Sequence, residues 1–369
     1  MLYLRIMKKI RVDLKERSYD IFTGSGVIEL LPSVIASICD KAPIAIIADK
    51  NALQKTKSVY DRAFRKVPNP KHWISISGGE SSKSLDMFGF VIKKISKEIR
   101  MIRPIIVALG GGVVGDLAGF VAATFRRGVP FIQVPTTLLA QVDSSIGGKV
   151  GIDIPEAKNL IGAFKQPRAV IMDVDFLKTL PLKEIRGASA EIIKYGIIQS
   201  SGLFRFLENH MDQVLSLDKK ALEKVIFECA SIKARVVEKD EFDEKAVRII
   251  LNFGHTLGHA IEAASGYAKQ YSHGDSIAIG MLTASDIAFR LGMLCQKDFK
   301  RINGIIKISG LPMSAKDVPF KKIMDSYVHD KKFVRGSNRF VLPTRIGHVE
   351  TVDDIPELLI KNVMRTYAE

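Results

Sequence analysis

Residues Ile105–Thr124 read IIVALGGGVVGDLAGFVAAT. The stretch has the length and apolar character of a membrane span, but five glycines and Asp116 lie within it. A short apolar run, a glycine-rich turn and a second apolar segment are typical of a buried strand that leads into a buried helix. The sequence therefore predicts a strand–turn–helix unit here and no membrane span.

Further apolar runs on both sides of this stretch predict more strands of the same kind. They are short and continuous, as expected of strands buried on both faces. Segments with helical spacing lie between them, for example Ser84–Ile102. This alternation predicts a parallel sheet covered by helices. The runs are Pro43–Ala48, Pro104–Leu109, Pro130–Val134 and Ala169–Met172.

The second half of the chain has a different pattern. From about residue 182 to residue 294 the apolar spacing is helical, as in Lys219–Glu238 and Gly274–Leu291. A short extended run follows only at Asn338–Leu342. We therefore expect an α/β domain at residues 1–180 and a mainly α-helical domain at residues 181–369.

The amino-acid composition limits the classes of molecule that this protein is expected to bind. The 369 residues include 55 Lys and Arg against 40 Asp and Glu, a formal charge of +15. Such a charge suits nucleic acid, an anionic membrane or anionic small molecules. The basic residues are scattered rather than clustered with aromatic residues, which favours a small anionic ligand and no nucleic acid. Three separated cysteines and no secretory signal pattern predict a reducing, cytoplasmic location.

The glycines of the opening stretch match the G-x-G-x-x-G pattern of dinucleotide-binding turns. Glycines there allow a phosphate to approach backbone N–H groups at the start of a helix. The acidic residue usually found about 20 positions later is absent, although Asp49 follows an earlier predicted strand. A glycine turn needed only for packing of helix on strand is the alternative.

Three histidines and one glutamate form a second motif. His255 and His259 are four residues apart and share one helix face, and His273 follows in a turn-like sequence. Glu191 lies in a largely apolar segment, where a charge needs a partner. Two histidines and a carboxylate are the ligand types of a catalytic divalent metal. Capping or core histidines are the alternative.

The segment Gln141–Lys149 resembles a phosphate loop but fails the P-loop pattern, which argues against an ATPase or kinase. Its glycines and lysine, with Lys158, could still bind an oxyanion. Arg127 and Arg248 are similar candidates. Solvated side chains are the alternative for each of these positions.

Taken in order, these motifs resemble the 3-dehydroquinate synthase family of the sugar phosphate cyclases. The resemblance is carried by the block from Gly110 to Phe164 and by AEIIKYG, LNFGHTLGHAIE and SHGDSIAIGM. It implies a Rossmann-like α/β domain and a helical domain with the active site in the cleft between them. It also implies a homodimer that uses NAD and a divalent metal, zinc or alternatively cobalt.

The activity that the resemblance implies is conversion of 3-deoxy-D-arabino-heptulosonate 7-phosphate to 3-dehydroquinate and phosphate, the second step of the shikimate pathway. The steps are transient oxidation by NAD, phosphate elimination, re-reduction and intramolecular aldol closure, so the enzyme is a carbon–oxygen lyase. Two alternatives share the fold. One is another sugar phosphate cyclase, of inosose or valiolone type, and the other is a metal-dependent polyol dehydrogenase.

The resemblance also implies roles for individual residues. The metal ligands are Glu191, His255 and His273. The NAD site comprises Asp49, Asn51, Gly79, Glu80, Lys83, Gly112, Val113, Val114, Gly115, Asp116, Thr136, Thr137, Lys149, Lys158, Phe176, Leu177, Lys178 and Thr179. Catalysis and substrate binding fall to Arg127, Asp143, Lys149, Lys194, Lys233, Arg248, Asn252 and His259, with Lys331 or Lys332. Lys165 and a longer loop at Phe242–Lys245 depart from the family pattern.

Overall fold

The structure, a computed structural model, describes residues 7–100, 102–266, 270–333 and 338–368, with backbone alone at 329–333. The chain forms two compact units. The first runs to Leu180 and also contains Leu222–Phe242, and the second contains Pro181–Ala221 and the residues from Asp243 onward. The segment 222–242 thus belongs to the first unit, whereas the sequence-based division placed it with the helical half.

Strands and helices of the described residues are numbered here in chain order. The strands are β1 (Lys8–Val12), β2 (Tyr19–Gly24), β3 (Ile44–Asp49), β4 (Lys71–Ile76), β5 (Ile105–Gly110), β6 (Phe131–Pro135), β7 (Lys149–Ile154), β8 (Ala157–Phe164), β9 (Ala169–Asp173), β10 (Arg339–Arg345) and β11 (His348–Asp353). The helices are α1 (Leu31–Cys39), α2 (Lys50–Lys55), α3 (Lys57–Arg65), α4 (Leu85–Glu98), α5 (Gly112–Thr124), α6 (Leu182–Gln199), α7 (Ser201–Leu215), α8 (Lys219–Lys239), α9 (His255–Ala264), α10 (His273–Arg290), α11 (Gln296–Ile308), α12 (Phe320–Phe333) and α13 (Glu357–Ala368).

A seven-stranded sheet forms the centre of the first unit. Its strand order is β1-β2-β9-β6-β5-β3-β4, and all neighbours are parallel except β1 and β2. Alternate residues of β3 face opposite layers: Ile47 packs with α4 and α5, and Ile46 packs with α1 and α3. Burial on both faces explains the continuous apolar runs, and the four strands that they predict are confirmed as β3, β5, β6 and β9.

The chain reverses its direction across this sheet at β3. From β3 it moves outward to β4, and then it returns to the other side of β3 to form β5. In open parallel sheets, ligands bind outside the carboxyl ends of the strands at such a switch point. The end of β5 is the start of the glycine turn, so the fold places the predicted nucleotide site at this edge.

The hairpin of β7 and β8 is an element that sequence analysis did not predict. The two strands pair antiparallel, and Lys149 lies opposite Phe164. β8 is half exposed along its length, so it has no apolar run. Its pairing depends on β7 and not on a local signal. β4 was not predicted either, because its residues range from exposed to buried and form no continuous apolar run.

Helices dominate the second unit, with one antiparallel pair, β10 and β11, near its end. α10 packs against α6 and α9. Glycines make these contacts close: a Cβ on Gly274 would lie 2.1 Å from the carbonyl oxygen of Gly187, and a Cβ on Gly280 would lie 1.9 Å from that of Gly254. No helix of the described residues is long and apolar enough to cross a membrane.

Candidate metal centre and nucleotide site

Glu191 is the central residue of the site in the second unit. It lies on α6 and is 1% exposed. Lys194, one turn further along the same face, is 2% exposed, and its ammonium group pairs with Oε2 of Glu191. Lys194 is therefore the charged partner that the buried carboxylate of Glu191 was expected to need.

The two histidines that face Glu191 each begin a helix. His255 is the first residue of α9 and follows Gly254, whose φ of +80° is the left-handed conformation that favours glycine. His273 is the first residue of α10 and follows Ser272, which forms a capping box with Asp275. Both imidazoles are thus held at defined helix starts rather than on loops.

The spacing of these three side chains fits a metal ion. Oε1 of Glu191 lies 3.6 Å from Nε2 of His255 and 3.6 Å from Nε2 of His273. Both distances are too long for hydrogen bonds, and Oε1 is buried without a hydrogen-bond partner among the described residues. Two ligands of a tetrahedral zinc ion, with bonds of about 2.1 Å, are separated by about 3.4 Å. The spacing of the three atoms would therefore allow them to hold one divalent cation.

The electrostatics of the centre differ between the two histidines. Burial opposes ionisation of Glu191, but Lys194 and the two imidazoles hold its pKa well below the usual range. Burial, together with the charge on Lys194, lowers the pKa of His255 to about 3, so this imidazole is neutral. Burial also disfavours charge on His273, but the carboxylates of Glu191 and Glu262 raise its pKa to about 9. Without metal, His273 is the protonated member.

Of the other predicted substrate residues in the second unit, His259 lies near this centre. The ring of His259 lies 5.2 Å from that of His255 and 6.2 Å from that of His273. His259 is exposed and one turn after His255. Arg248 and Asn252 lie on a short 3-10 turn before α9, where Arg248 is buried and Asn252 is exposed.

In the glycine turn of the first unit, side chains at two of the glycine positions would clash with neighbouring residues. Among the described residues, no side chain caps the start of α5, which leaves its first N–H groups available for an anion. A Cβ on Gly112 would lie 2.9 Å from the hydroxyl of Ser144, and one on Gly115 would lie 2.6 Å from Oε1 of Gln133. The absence of a side chain at Gly115 lets α5 pack closely on β6, as the packing interpretation requires. Binding of a dinucleotide at this turn stays a prediction. Val113 and Val114 follow within the first turn of the helix.

Asp49 ends β3 on the other side of the switch point. Its Oδ1 accepts a hydrogen bond from the backbone N–H of Ala52 and caps α2, which contains Asn51. Its Oδ2 occupies space that a side chain at position 78 would fill, because a Cβ on Gly78 would lie 2.2 Å away. Gly79, with φ of +99°, then turns the chain into the segment that contains Glu80.

Lys83 connects that segment to α5. Its Nζ lies 2.6 Å from Oδ2 of Asp116, and the lysine side chain is 6% exposed. Burial raises the pKa of Asp116, while Lys83 acts in the opposite direction. The side-chain oxygen of Asn159 on β8 accepts a further hydrogen bond from Lys83. A buried ion pair therefore ties the glycine helix to the hairpin.

A second ion pair of the first unit joins α8 to the segment before β7. Nζ of Lys233 lies 2.9 Å from Oδ1 of Asp143 and also donates to the backbone carbonyl of Asp143 at 2.9 Å. Lys158 on β8 lies 3.8 Å from Glu80, and Lys149 begins β7 with an exposed side chain. The pairing of Lys233 with Asp143 is one of the contacts that join residues 222–242 to the α/β unit.

The remaining predicted cofactor residues follow the carboxyl ends of two neighbouring strands. The backbone N–H of Thr136, after β6, donates to the carbonyl of Gly110, and the side chain of Thr137 packs beside Gly111. A 3-10 turn after β9 buries its aromatic and leucine side chains and leaves its lysine exposed. The turn contains Phe176, Leu177, Lys178 and Thr179.

Two models of known families match the chain. The model described as 3-dehydroquinate synthase N-terminal matches residues 73–187, and the model described as 3-dehydroquinate synthase C-terminal matches residues 188–333. The 3-dehydroquinate synthase of Acidithiobacillus ferrooxidans is 42% identical over 363 residues, which cover 98% of this chain and 99% of the relative. That of Desulforamulus reducens is 43% identical over 363 residues, 97% of this chain and 99% of the relative.

The chain belongs to the 3-dehydroquinate synthase family. A solved 2-deoxy-scyllo-inosose synthase, complexed with carbaglucose-6-phosphate, NAD+ and Co2+, is 27% identical with a TM-score of 0.87, covering 98% of this chain and all of that one. A 2-epi-5-epi-valiolone synthase from Streptomyces hygroscopicus is similar in fold, with a TM-score of 0.86, 24% identity and coverage of 96% and 98%. The two-unit fold is therefore that of the sugar phosphate cyclases.

The described contacts do not join Arg127 to the metal centre or to the nucleotide site. Arg127 is exposed on a short turn after α5, with φ of 59°. The side chains of Lys331 and Lys332 lie outside the described residues. Their predicted role in substrate binding stays a prediction.

Sequence analysis missed two residues that contact predicted site residues. Asn159 accepts a hydrogen bond from Lys83, and Glu262 lies 3.1 Å from Nδ1 of His273. The signal for Glu262 was available, because it lies seven residues after His255 and so on the same helix face. No sequence signal indicated Asn159, because its contact with Lys83 depends on the hairpin of β7 and β8, which was not predicted.

Proposed function

We propose that this chain is a 3-dehydroquinate synthase, which converts 3-deoxy-D-arabino-heptulosonate 7-phosphate to 3-dehydroquinate and phosphate as a carbon–oxygen lyase. Identity of 42–43% over nearly the whole chain supports this assignment. The structural observation that carries it is Glu191 Oε1 at 3.6 Å from Nε2 of both His255 and His273. A dehydroquinate synthase needs such a centre to act on a sugar hydroxyl.

The residues present fit both absent groups. Glu191, His255 and His273 would hold a divalent metal, zinc or cobalt, which supplies a Lewis acid for sugar oxygens when bound. The start of α5 would hold NAD, which would supply a reversible hydride acceptor, so that no net NAD would be consumed. The uncapped helix start would receive the pyrophosphate. Lys83 and Asp116 hold that helix start in place through their ion pair.

The basic side chains supply charge for an anionic sugar phosphate. Lys149 and Arg248 suit the phosphate and carboxylate of the substrate, and guanidinium groups can bind either in bidentate fashion. Lys194 keeps a positive charge beside Glu191 in a buried position. His259 is exposed near the histidine pair and is the candidate to accept or donate a proton at its imidazole. We assign Arg127, Asp143, Lys233 and Asn252 to substrate positioning.

The experiment that tests this activity follows phosphate release from the heptulosonate phosphate with NAD present in trace amounts. We expect many phosphates released per NAD, no net NADH, loss of activity in EDTA and recovery with zinc or cobalt. Accumulation of NADH in proportion to substrate would instead identify a polyol dehydrogenase. No turnover of the heptulosonate phosphate, together with tight binding of carbaglucose-6-phosphate, would instead favour a cyclase of the inosose type, the class of the 27% identical structure.

The metal ligands are tested by replacing His255 with alanine. Only three protein ligands are available in the proposed set, so the loss of one should remove both the bound metal and the activity. His348→Ala is the matched control, because His348 lies on β11 of the same unit and its Nδ1 contacts Thr344. Full metal content in the His255→Ala variant would refute the ligand assignment.

Family resemblance further supports a cytoplasmic homodimer. Size-exclusion chromatography with light scattering tests the oligomeric state, and a monomer at assay concentration would refute this part of the proposal.

A further inference from the structure

His273 is the most exposed of the three proposed metal ligands. Its side chain is 37% exposed, against 15% for His255 and 2% for Glu191. An imidazole that is open on one side is not oriented by packing alone. Another contact must therefore hold Nε2 of His273 toward Glu191.

Glu262 provides that contact. It is 6% exposed on α9, and its Oε2 lies 3.1 Å from Nδ1 of His273. Glu262 lies two turns after His255 on the same helix. One helix thus carries one proposed ligand and the support for a second.

The same arrangement occurs at His255 with a different acceptor. Nδ1 of His255 lies 3.2 Å from the backbone carbonyl oxygen of Phe253. In both histidines an oxygen at Nδ1 favours the N–H on that nitrogen. In the neutral imidazole, which is the form that binds metal, Nε2 then carries the lone pair, 3.6 Å from Oε1 of Glu191. The support of His255 is backbone and cannot be removed by mutation, whereas the support of His273 is a side chain.

We propose that Glu262 is a positioning residue, which orients His273 by accepting the hydrogen bond of Nδ1–H. This inference rests on the proposed metal centre. Carboxylates that hold a ligating histidine in this way typically contribute about 10- to 100-fold to metal affinity. Glu262 also forms, with His259 and His273, a second group of possible ligand atoms, so direct ligation by Glu262 is the alternative that the experiment must separate.

The test compares Glu262→Ala and Glu262→Gln by titrating metal-free protein with zinc in competition with a chromophoric chelator. We expect one metal per chain in all cases, with affinity reduced about 10- to 100-fold in Glu262→Ala. Glu262→Gln keeps an oxygen acceptor and should recover part of the loss. With cobalt, the visible spectrum of Glu262→Ala should differ from that of the wild type, because one ligand is no longer held in place.

The control is Glu208→Gln, which removes a carboxylate that pairs with Arg301 in the same unit. It should leave the zinc affinity and the cobalt spectrum unchanged. Zinc affinity within twofold of wild type and an unchanged spectrum in Glu262→Ala would overturn the inference. Two zinc ions per wild-type chain, reduced to one in Glu262→Ala, would also overturn it by making Glu262 a ligand. If the proposed metal centre itself were wrong, the His255→Ala variant would keep its metal. That outcome is different from a failure of the inference about Glu262.

Discussion

Replacing Gly280 by alanine should disturb the metal centre from a distance. Gly280 lies on α10, two turns after His273, and touches no proposed ligand directly. Its added Cβ would lie 1.9 Å from the carbonyl oxygen of Gly254 and 2.8 Å from the backbone nitrogen of Gly258. These are backbone atoms on either side of His255, so no flexible side chain can move away instead.

The structure sets the size of the effect. Ordinary contacts of a Cβ begin near 3.4 Å, so the start of α9 must move by about 1.5 Å relative to α10. Binding constellations need their ligands held within about 0.5 Å. Overpacking of this kind costs about 1–3 kcal/mol of unfolding free energy, even though alanine is the better helix former. We expect that loss of stability together with metal affinity reduced more than about tenfold.

Gly304→Ala is the matched control. Gly304 lies inside α11 of the same unit, and its added Cβ would meet nothing within 4 Å. This variant should gain up to about 1 kcal/mol through helix propensity, with unchanged metal affinity. Thermal unfolding followed by circular dichroism and zinc competition titration measure the two effects. Wild-type stability and wild-type zinc affinity in Gly280→Ala would refute the reasoning, because the added Cβ would then fit between α9 and α10 without displacing them.

Two further predictions concern charge. In metal-free protein the pKa of His273 is raised from 6.5 to about 9. The charge on His273 therefore contributes fully to the free energy of unfolding below about pH 6.5, and this contribution is lost as the pH rises through about 9. Zinc uptake at pH 7 should therefore release about one proton from this group, and none above about pH 10; proton release measured with an indicator dye that did not vary with pH would contradict this. In the first unit, Lys83→Met leaves Asp116 without its buried partner and should cost about 3–5 kcal/mol, measured by urea unfolding without NAD. Adding Asp116→Asn should restore much of that loss, and a coupling energy near zero in this double-mutant cycle would show that the pair does not interact.

The strand–turn–helix at Ile105–Thr124 could be predicted from sequence because its signals are local. A strand buried on both faces is apolar throughout, and a turn that approaches β6 closely needs glycine. The helical character of α6 and α10 could be predicted for the same reason. Elements whose burial depends on a partner, such as β8 with its half-exposed side chains, have no such signal. The membership of 222–242 in the first unit likewise depends on contacts such as Lys233 with Asp143.

For the candidate metal centre too, some features could be predicted from sequence and others depended on tertiary packing. The four-residue spacing of His255 and His259 places them on one helix face, and the family motifs identify Glu191 and His273 as their companions. The sequence by itself thus predicted the candidate ligand residues, and it determined the helical segments that carry them and the glycines between them. Only the tertiary structure decided that Oε1 of Glu191 lies 3.6 Å from Nε2 of both imidazoles and that Oε2 of Glu262 lies 3.1 Å from Nδ1 of His273. The physical reason is that these distances depend on how closely α6, α9 and α10 pack, and that packing depends on residues far apart in the chain.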